Sequence, residues 1–267
     1  MMRACGFILI VLMLFFSAIN VSNASTDNDK NIWLELNQTS DKILQLVREE
    51  KLEEAKQIMN YFSDQFLSIK YNEANVSMSD LRVATTSFEN AMEAVTSVSM
   101  RQEERLKLVM EFRLAIDALS TEHHPLWLNT RSTVMKSIAD MKQAATEKEA
   151  QAFQHSTNAF LRNYQMIRPA LMLDLEPAAF QRIESHVQYL KRYRNNIVDD
   201  AQKTGHLAVM ENDFNEMYDR IQKDSADPSL LWVMLTIGGM IVISLSYAGW
   251  KKYKGEKKKL KMGEGND

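Results

Sequence analysis

The sequence is poor in cysteine, glycine and proline, and each shortage excludes a class of structure. Its single cysteine, Cys5, lies at the amino end, so the rest of the chain has no thiol for a disulfide or a nucleophile. Eight glycines and four prolines in 267 residues leave few positions for the tight turns of an all-β fold. Asn-Gly and Asp-Gly pairs, which favour β-hairpins, do not occur. These shortages favour a helical protein.

The residues that are abundant agree, because Leu, Ala, Met, Glu, Lys and Gln are all good helix formers. Apolar residues recur at alternating steps of three and four, which predicts eight helices and no strand in residues 25–228. The first two helices flank Glu49-Glu50-Lys51 and form an antiparallel hairpin similar to a tetratricopeptide hairpin. Because no 34-residue repeat follows it, we predict an all-α, irregular bundle of about eight antiparallel helices, with a tetratricopeptide-like array as the alternative.

Several local signals predict where these helices begin and end. They are two capping-box pairs, three prolines and a glycine: Ser99 with Gln102, Thr146 with Glu149, the break at His123-His124-Pro125, Pro169 and Pro177 on either side of a short connection, and Gly205 as a helix stop. Trp33 and Trp127 fall on apolar helix faces, which favours core packing for both.

The amino end has the pattern of a secretory signal. Arg3 precedes an apolar run from Phe7 to Ile19, and the small residues Ser22-Asn23-Ala24 suit a signal-peptidase site. An uncleaved anchor is less favoured, because the run is shorter than the roughly 20 apolar residues that span a bilayer. We therefore predict a cleaved signal peptide over residues 1–24.

A second apolar segment runs without a charge from Leu230 to Trp250 and predicts a transmembrane helix over residues 229–250. Trp232 and Trp250 lie near its ends, where indole rings favour the membrane boundary. Seven lysines follow in residues 251–267, and Lys251, Lys252 and Lys254 come first. Lysine excess marks the cytoplasmic side, so we predict a cell-membrane protein with residues 25–228 outside and a short cytoplasmic tail.

Charge excludes one class of partner. The chain carries −3 overall, and without Arg3 and the net +4 of residues 251–267 the remainder carries −8. So acidic a domain is unsuited to nucleic acid, whose binding requires positive charge against phosphate.

No catalytic, cofactor or metal site stands out. The five histidines are not paired at the i, i+4 spacing of a helical metal site, and His123 and His124 are interpreted as solvated loop residues. An enzyme acting on glycans would need two converging carboxylates, but neighbours on a helix diverge by about 100°. The acid pairs are therefore interpreted as solvated faces: Glu49-Glu50, Glu53-Glu54, Glu103-Glu104 and Asp199-Asp200.

Several motifs together resemble the YpjB family of sporulation proteins of endospore-forming bacteria. They are the junction Asp227-Pro228-Ser229-Leu230-Leu231-Trp232, the mid-domain Pro125-Leu126-Trp127, Phe112-Arg113, and the Leu52-Glu53-Glu54-Ala55 hairpin. The family's mid-domain motif reads Asp-Pro-Leu-Trp, whereas His124 replaces the acid here, which argues against an essential charge at that position.

This resemblance implies a membrane protein associated with sporulation and assigns no catalytic residue. We therefore expect a non-enzymatic interaction module that binds another envelope protein and needs no cofactor. A wall-remodelling enzyme of unrecognised type and a sensor that passes an envelope signal to the tail are the alternatives.

Overall fold

The computed structural model describes the backbone of residues 24–69, 76–121, 124–224 and 228–263, and the side chains of 32–69, 76–121, 124–222 and 233–253. These residues form nine α-helices and one short 3₁₀ helix, with no strand among them. The predicted all-α class is confirmed. Residues 1–23 of the predicted signal peptide, with Arg3 and Cys5, lie outside the described residues.

Eight of the nine α-helices precede residue 228, the number that the apolar periodicity predicts. In chain order they are α1 Ala24–Arg48, α2 Leu52–Ser68, α3 Met78–Thr96, α4 Gln102–Ser120, then after the 3₁₀ helix Leu126–Thr130, α5 Arg131–Thr146, α6 Ala150–Asp174, α7 Pro177–Tyr193 and α8 Ala201–Asp224. The ninth, α9 Pro228–Gly263, contains the apolar segment. The chain divides into two compact units, Met1–Tyr218 and Asp219–Asp267.

Two of the interhelical turns have the same construction. In the turn between α1 and α2, Glu50 has a φ of 58° and the Lys51 amide donates to the Leu46 carbonyl at 2.9 Å. Between α5 and α6, Lys148 also has a φ of 58° and the Glu149 amide donates to the Ala144 carbonyl at 2.8 Å. Both are Schellman turns, in which a left-handed residue lets the chain satisfy the last helical carbonyls. The predicted turn at Glu49-Glu50-Lys51 is confirmed.

Both predicted capping boxes are wrong. The residue before α4 is Arg101, without a side-chain cap, and Thr146 is the last residue of α5, where its hydroxyl donates to the Lys142 carbonyl at 2.9 Å. A capping box does occur at α3, where the Asp80 amide donates to Ser77 Oγ at 3.1 Å and the Ser77 amide donates to Asp80 Oδ2 at 2.9 Å. Local spacing cannot tell a cap from a helix end, because hydroxyls serve both.

Pro169 and Gly205 do not end helices, contrary to prediction. Pro169 lies inside α6, and Gly205 lies inside α8. A proline inside a helix costs about 3 kcal/mol, and a glycine about 1 kcal/mol, relative to alanine. Burial of neighbouring apolar residues offsets these costs. In α6, Ile167, Ala170 and Leu171 are buried around Pro169, and in α8, Leu207, Met210 and Phe214 are buried after Gly205. Tertiary packing therefore overrides the local signal.

The first unit contains two aromatic clusters. In α1–α4, Phe62 stacks on Phe88 at 5.6 Å and meets Phe112 edge-on at 5.0 Å between ring centroids. In α5–α8 and the 3₁₀ helix, Phe160 meets Phe214 at 5.5 Å, and Trp127 lies 5.4 Å from Tyr218. Trp33 and Trp127 are both buried, as predicted. The most extensive helix contact joins α4 with α6, and α3 contacts both, which brings these three helices together around the groove described next.

Candidate functional site

A groove of about 440 Å³ lies between α3, α4 and α6, here called the α3/α4/α6 groove. Its lining comes from all three helices and includes Arg82 on α3, Lys107 and Glu111 on α4, and Gln165, Arg168 and Pro169 on α6. Cavities of about 300 to 1,000 Å³ are typical of ligand sites in proteins. The groove is therefore large enough to accept a few side chains of a bound molecule.

Three cations and one acid line the groove. Lys107 Nζ lies 3.6 Å from Glu111 Oε1 and donates to Gln165 Oε1 at 3.2 Å. Arg168 Nε donates to Glu184 Oε2 at 2.9 Å, and its guanidinium lies 5.5 Å from the Phe180 ring centre. These two cations are held in place by partners on α4, α6 and α7.

Arg82 differs from the other two cations. Its side chain is exposed, and among the residues that the structure describes it has no hydrogen-bond or ion-pair partner. A guanidinium presents five donors in a planar fork that matches a carboxylate. Arg82 is therefore the group of the groove best able to receive an anionic ligand.

Glu111 opposes such a ligand only weakly. Its side chain is 13% exposed, and burial raises the pKa of its carboxyl, although the nearby Lys107 ammonium lowers it. Burial disfavours a charged carboxylate. The one acid of the lining thus has a greater tendency to be neutral than an ordinary surface glutamate.

Pro169 leaves one backbone carbonyl of α6 without its usual helical donor. Proline has no amide hydrogen, so the Gln165 carbonyl receives no helical hydrogen bond from position 169. Gln165 and Pro169 both line the groove. A residue of the groove lining therefore has a backbone acceptor without its i+4 donor.

A buried polar network joins α1, α4 and the first residue of the 3₁₀ helix. Arg113 Nη1 donates to Asn37 Oδ1 at 2.6 Å and lies 3.4 Å from Asp117 Oδ1. The Leu126 amide donates to the other oxygen of Asp117 at 2.6 Å. Because the buried carboxylate is paired and hydrogen-bonded, the network holds the start of the 3₁₀ helix, just after the predicted His-His-Pro break, against α4. His123 lies outside the described residues. His124 there has a φ of 55°, which His and Asp both tolerate better than most residues.

Trp127 and Asp174 form the second buried polar contact. The indole Nε1 of Trp127, in the 3₁₀ helix, donates to Asp174 Oδ2 at the end of α6. Burial raises the pKa of Asp174 to about 7; Trp127's hydrogen bond acts in the opposite direction, and the Asp117 charge adds to the rise. Asp174 is therefore a carboxyl group that titrates near neutrality.

Two histidines that are distant in sequence meet between α7 and α8. His186 is buried, its Nδ1 lies 3.0 Å from His206 Nε2, and its Nε2 lies 2.8 Å from Asp213 Oδ2. The His206 ring lies over Tyr189 at 3.9 Å between ring centres. Burial and the neighbouring His186 lower the pKa of His206, while Asp213 raises it. The three groups form a hydrogen-bonded chain and do not converge on one point.

The predicted acid pairs lie at exposed positions or, for Asp200, at the start of a helix. Glu49-Glu50, Glu53-Glu54 and Glu103-Glu104 are exposed, and Asp200 accepts hydrogen bonds from the Gln202 and Lys203 amides at the start of α8. Among the side chains described, no group of three or more His, Cys, Asp or Glu residues is arranged to hold a metal ion. One basic residue of α4 is buried: Arg105 donates to the Ala94 carbonyl of α3 and to the Ser97 and Met100 carbonyls that follow α3.

Of the predicted membrane-anchor residues, Trp250, Lys251 and Lys252 are exposed on α9. The side chains of Trp232 and Lys254 lie outside those that the structure describes. Among the described residues, one helix is long and apolar enough to cross a membrane, over Val233–Tyr253.

Sequence reasoning missed the α3/α4/α6 groove, the Arg113 network, the contact between Trp127 and Asp174, and the histidine cluster. The groove draws its cations from positions 82, 107 and 168, and the histidine cluster joins positions 186, 206 and 213. The histidine cluster did leave one signal, since His186 occurs on the apolar stripe of α7 with Ile183, Val187 and Leu190. A polar residue on such a stripe requires a buried partner.

Within the part of the chain that the structure describes, the fold is all-helical and one helix, α9, is able to span a membrane. The family model described as "Sporulation protein YpjB (SpoYpjB)" matches residues 33–262. The chain belongs to this family, which confirms the resemblance seen in the sequence.

A relative from Bacillus subtilis (strain 168), named "Uncharacterized protein YpjB", is 28% identical over 229 residues, covering 85% of this chain and 87% of the relative. No solved structure matches the chain.

Proposed function

We propose that this sporulation-family protein is a single-pass membrane protein whose helical unit binds another envelope protein, without catalysis, through the α3/α4/α6 groove. The observation that carries the proposal is the groove itself, an open cavity of about 440 Å³ lined from three helices. Its lining contains an exposed arginine without a partner among the described residues, next to two cations held in place. Such an arrangement offers a preorganised surface to a partner.

The topology is part of the proposal. The apolar span Val233–Tyr253 anchors the chain, and Lys251 and Lys252 begin a lysine-rich tail that favours the cytoplasmic side. The helical unit then lies outside the cytoplasm, as an irregular bundle of antiparallel helices. With a net charge of −8 outside the ends, it repels nucleic acid.

Capture of the bound partner from sporulating cells tests the proposal. Tagged full-length protein, solubilised in detergent after mild crosslinking, is compared with the double variant Arg82→Glu, Lys107→Glu. The matched control is Arg162→Glu, Lys56→Glu, which reverses two exposed cations outside the groove. We expect an envelope protein that wild type and control retain and the groove variant loses.

Equal retention by the groove variant would contradict the groove as the docking surface. Normal sporulation of the groove variant, with the partner lost, would contradict a role for that docking in sporulation. A separate variant set with the four acid pairs changed to alanine tests the enzymatic alternative, which predicts that sporulation fails.

A further inference from the structure

The α3/α4/α6 groove differs in charge from the surface around it. Residues 25–250 carry −8, whereas the groove lining has three cations and one acid, Glu111. Glu184, which pairs with Arg168 from outside the lining, reduces the local excess but leaves Arg82 uncompensated. A positive groove on an acidic surface attracts an anionic group to that place in preference to the rest of the molecule.

The cations that already have partners keep donors for a ligand. An ammonium has three donors, and Lys107 makes one hydrogen bond to Gln165 and one ion pair with Glu111. A guanidinium has five, and Arg168 uses Nε for Glu184 and Nη1 for the Met172 sulfur. With Arg82, the groove can therefore form several charge-assisted hydrogen bonds to one or two carboxylates.

The Gln165 carbonyl favours a ligand that has hydrogen-bond donors as well as negative charge. The i+4 amide that usually pairs this acceptor is missing because position 169 is proline, so a ligand with N–H donors can pair with the carbonyl and a ligand with acceptors alone cannot. A peptide supplies backbone N–H groups together with acidic side chains. The phosphate group of a phosphodiester supplies acceptors alone, and the hydrogenphosphate dianion supplies a single O–H donor.

We infer that the α3/α4/α6 groove binds an acidic peptide segment of the partner protein, with Asp or Glu side chains at Arg82 and Lys107 and a backbone N–H at the Gln165 carbonyl. This inference rests on the proposed function and specifies the chemistry of its partner. A volume of about 440 Å³ suits a few residues of such a segment.

The experiment measures binding of a fluorescein-labelled peptide of alternating Glu and Ala to the full-length protein in detergent, by fluorescence anisotropy. Peptides with Gln or Lys in place of Glu are the ligand controls. We expect the Glu peptide alone to bind, and we expect its affinity to fall as salt is raised.

Variants of opposite sign locate the binding. Arg82→Gln and Lys107→Gln should each weaken the Glu peptide by about tenfold, because each removes a charge-assisted contact. Glu111→Gln should strengthen it by about threefold, because it removes the one acid of the lining while its amide oxygen still accepts from Lys107. Arg162→Gln, on the same helix as Pro169 but outside the groove, should leave it unchanged. Misfolding cannot produce the strengthening expected of Glu111→Gln.

Three outcomes would overturn the inference. One is that Arg162→Gln and Arg82→Gln weaken binding of the Glu peptide equally, which would show general charge attraction without a specific binding site. Another is no affinity for the Glu peptide, and the third is binding of inorganic phosphate or phosphatidylglycerol vesicles that is lost in Arg82→Gln while the peptide does not compete.

Failure of this inference is distinguishable from failure of the proposed function. Should cells yield a groove-dependent partner while the Glu peptide does not bind, the docking stands and the acidic chemistry is wrong. Peptide binding with the expected variant pattern, but no groove-dependent partner in cells, supports the chemistry of the groove and contradicts the proposed function.

Discussion

The two aromatic clusters of the helical unit are built from different kinds of contact. In the α1–α4 cluster, Phe62, Phe66, Phe88 and Phe112 touch one another with ring centres 5.0 to 5.9 Å apart. In the α5–α8 cluster most of the rings carry a polar atom that hydrogen-bonds a residue from another part of the chain. The Tyr164 hydroxyl donates to Glu184 Oε2 at 2.6 Å, the Tyr218 hydroxyl lies 3.1 Å from Thr130 Oγ1, and Trp127 donates to Asp174.

This difference changes how each cluster should respond to pH. The phenylalanine cluster has no titratable group, so its contribution to stability depends on burial alone. The second cluster contains Asp174, whose pKa burial raises to about 7, and Tyr218, whose pKa burial raises to about 12. We therefore expect the α5–α8 side of the unit to carry most of the pH dependence of stability.

The largest effect is expected in the phenylalanine cluster. Phe112 is fully buried, so Phe112→Ala should lower the free energy of unfolding by about 3 to 5 kcal/mol. The loss should be the same at pH 5 and pH 8, as measured by urea unfolding of the full-length protein in detergent. Leu67→Ala is the control, because Leu67 is 75% exposed and should matter by less than about 0.5 kcal/mol. A loss that changes with pH would contradict the distinction between the clusters.

Asp174→Asn should produce the next largest effect, in the other cluster. Because the pKa of Asp174 is raised from 3.8 to about 7, the folded state favours its neutral form. Its contribution is fully present below about pH 4 and is lost as pH rises through about 7. The amide oxygen of Asn can still accept from Trp127 and has no charge to bury, so the variant should exceed wild type by on the order of 2 kcal/mol at pH 8.

The measurement for Asp174→Asn is the free energy of unfolding at several values from pH 4 to pH 8. The stability advantage of the variant should increase along that series. Asp64→Asn, at an exposed site on α2, is the matched control and should not change the slope. Parallel pH profiles for wild type and Asp174→Asn would refute the assignment.

A smaller effect is expected at the two Schellman turns, one between α1 and α2 and the other between α5 and α6. Glu50 and Lys148 both have a φ of 58°, a conformation that glycine adopts more easily. Glu50→Gly and Lys148→Gly should each raise the free energy of unfolding by about 0.5 to 1 kcal/mol, and the melting temperature should rise with it. Lys56→Gly, at an exposed position one turn inside α2, should lower stability by about 1 kcal/mol instead. Destabilisation by all three variants would contradict the left-handed geometry.

The smallest effect is expected at His206, and its sign is opposite to that of Asp174. The pKa of His206 is lowered by burial and by His186, so the folded state favours the neutral ring. The stability that this contributes is present above about pH 6.5 and is lost as pH falls through the lowered pKa. Between pH 7 and pH 5, this should lower the free energy of unfolding of the wild type by about 0.5 kcal/mol, a small amount because solvent screens the partly exposed ring. His206→Gln, whose amide can still donate to His186, should not show this decrease. Equal acid sensitivity of wild type and variant would refute this origin.

The apolar periodicity was sufficient to predict the helices and the first hairpin. Stripes at steps of three and four require only that one face of each helix be buried, which is a local property of the chain. The turn at Glu49-Glu50-Lys51, the break before Pro125 and the burial of Trp33 and Trp127 follow from the same patterns. The span Val233–Tyr253 is visible for a related reason, because a run of apolar residues without charge needs no knowledge of its neighbours.

Single residues misled where packing outweighs propensity. Pro169 and Gly205 are helix breakers in isolation, yet α6 and α8 continue through them because burial of the flanking apolar residues outweighs their cost. The pairs Ser99 with Gln102 and Thr146 with Glu149 have the spacing of capping boxes without the geometry. Such local signals describe the preference of an isolated segment and do not include its packing against other helices.

By itself, the sequence determined the all-helical class, the number of helices, the apolar α9 and membership of the sporulation family, because these depend on periodicity, run length and motif. Only the tertiary structure decided where polar groups meet. Arg82, Lys107 and Arg168 line one groove, and His186 reaches His206 and Asp213, because packing brings separate helices together. A burial pattern states which face of a helix turns inward, but it does not state which other helix that face will meet.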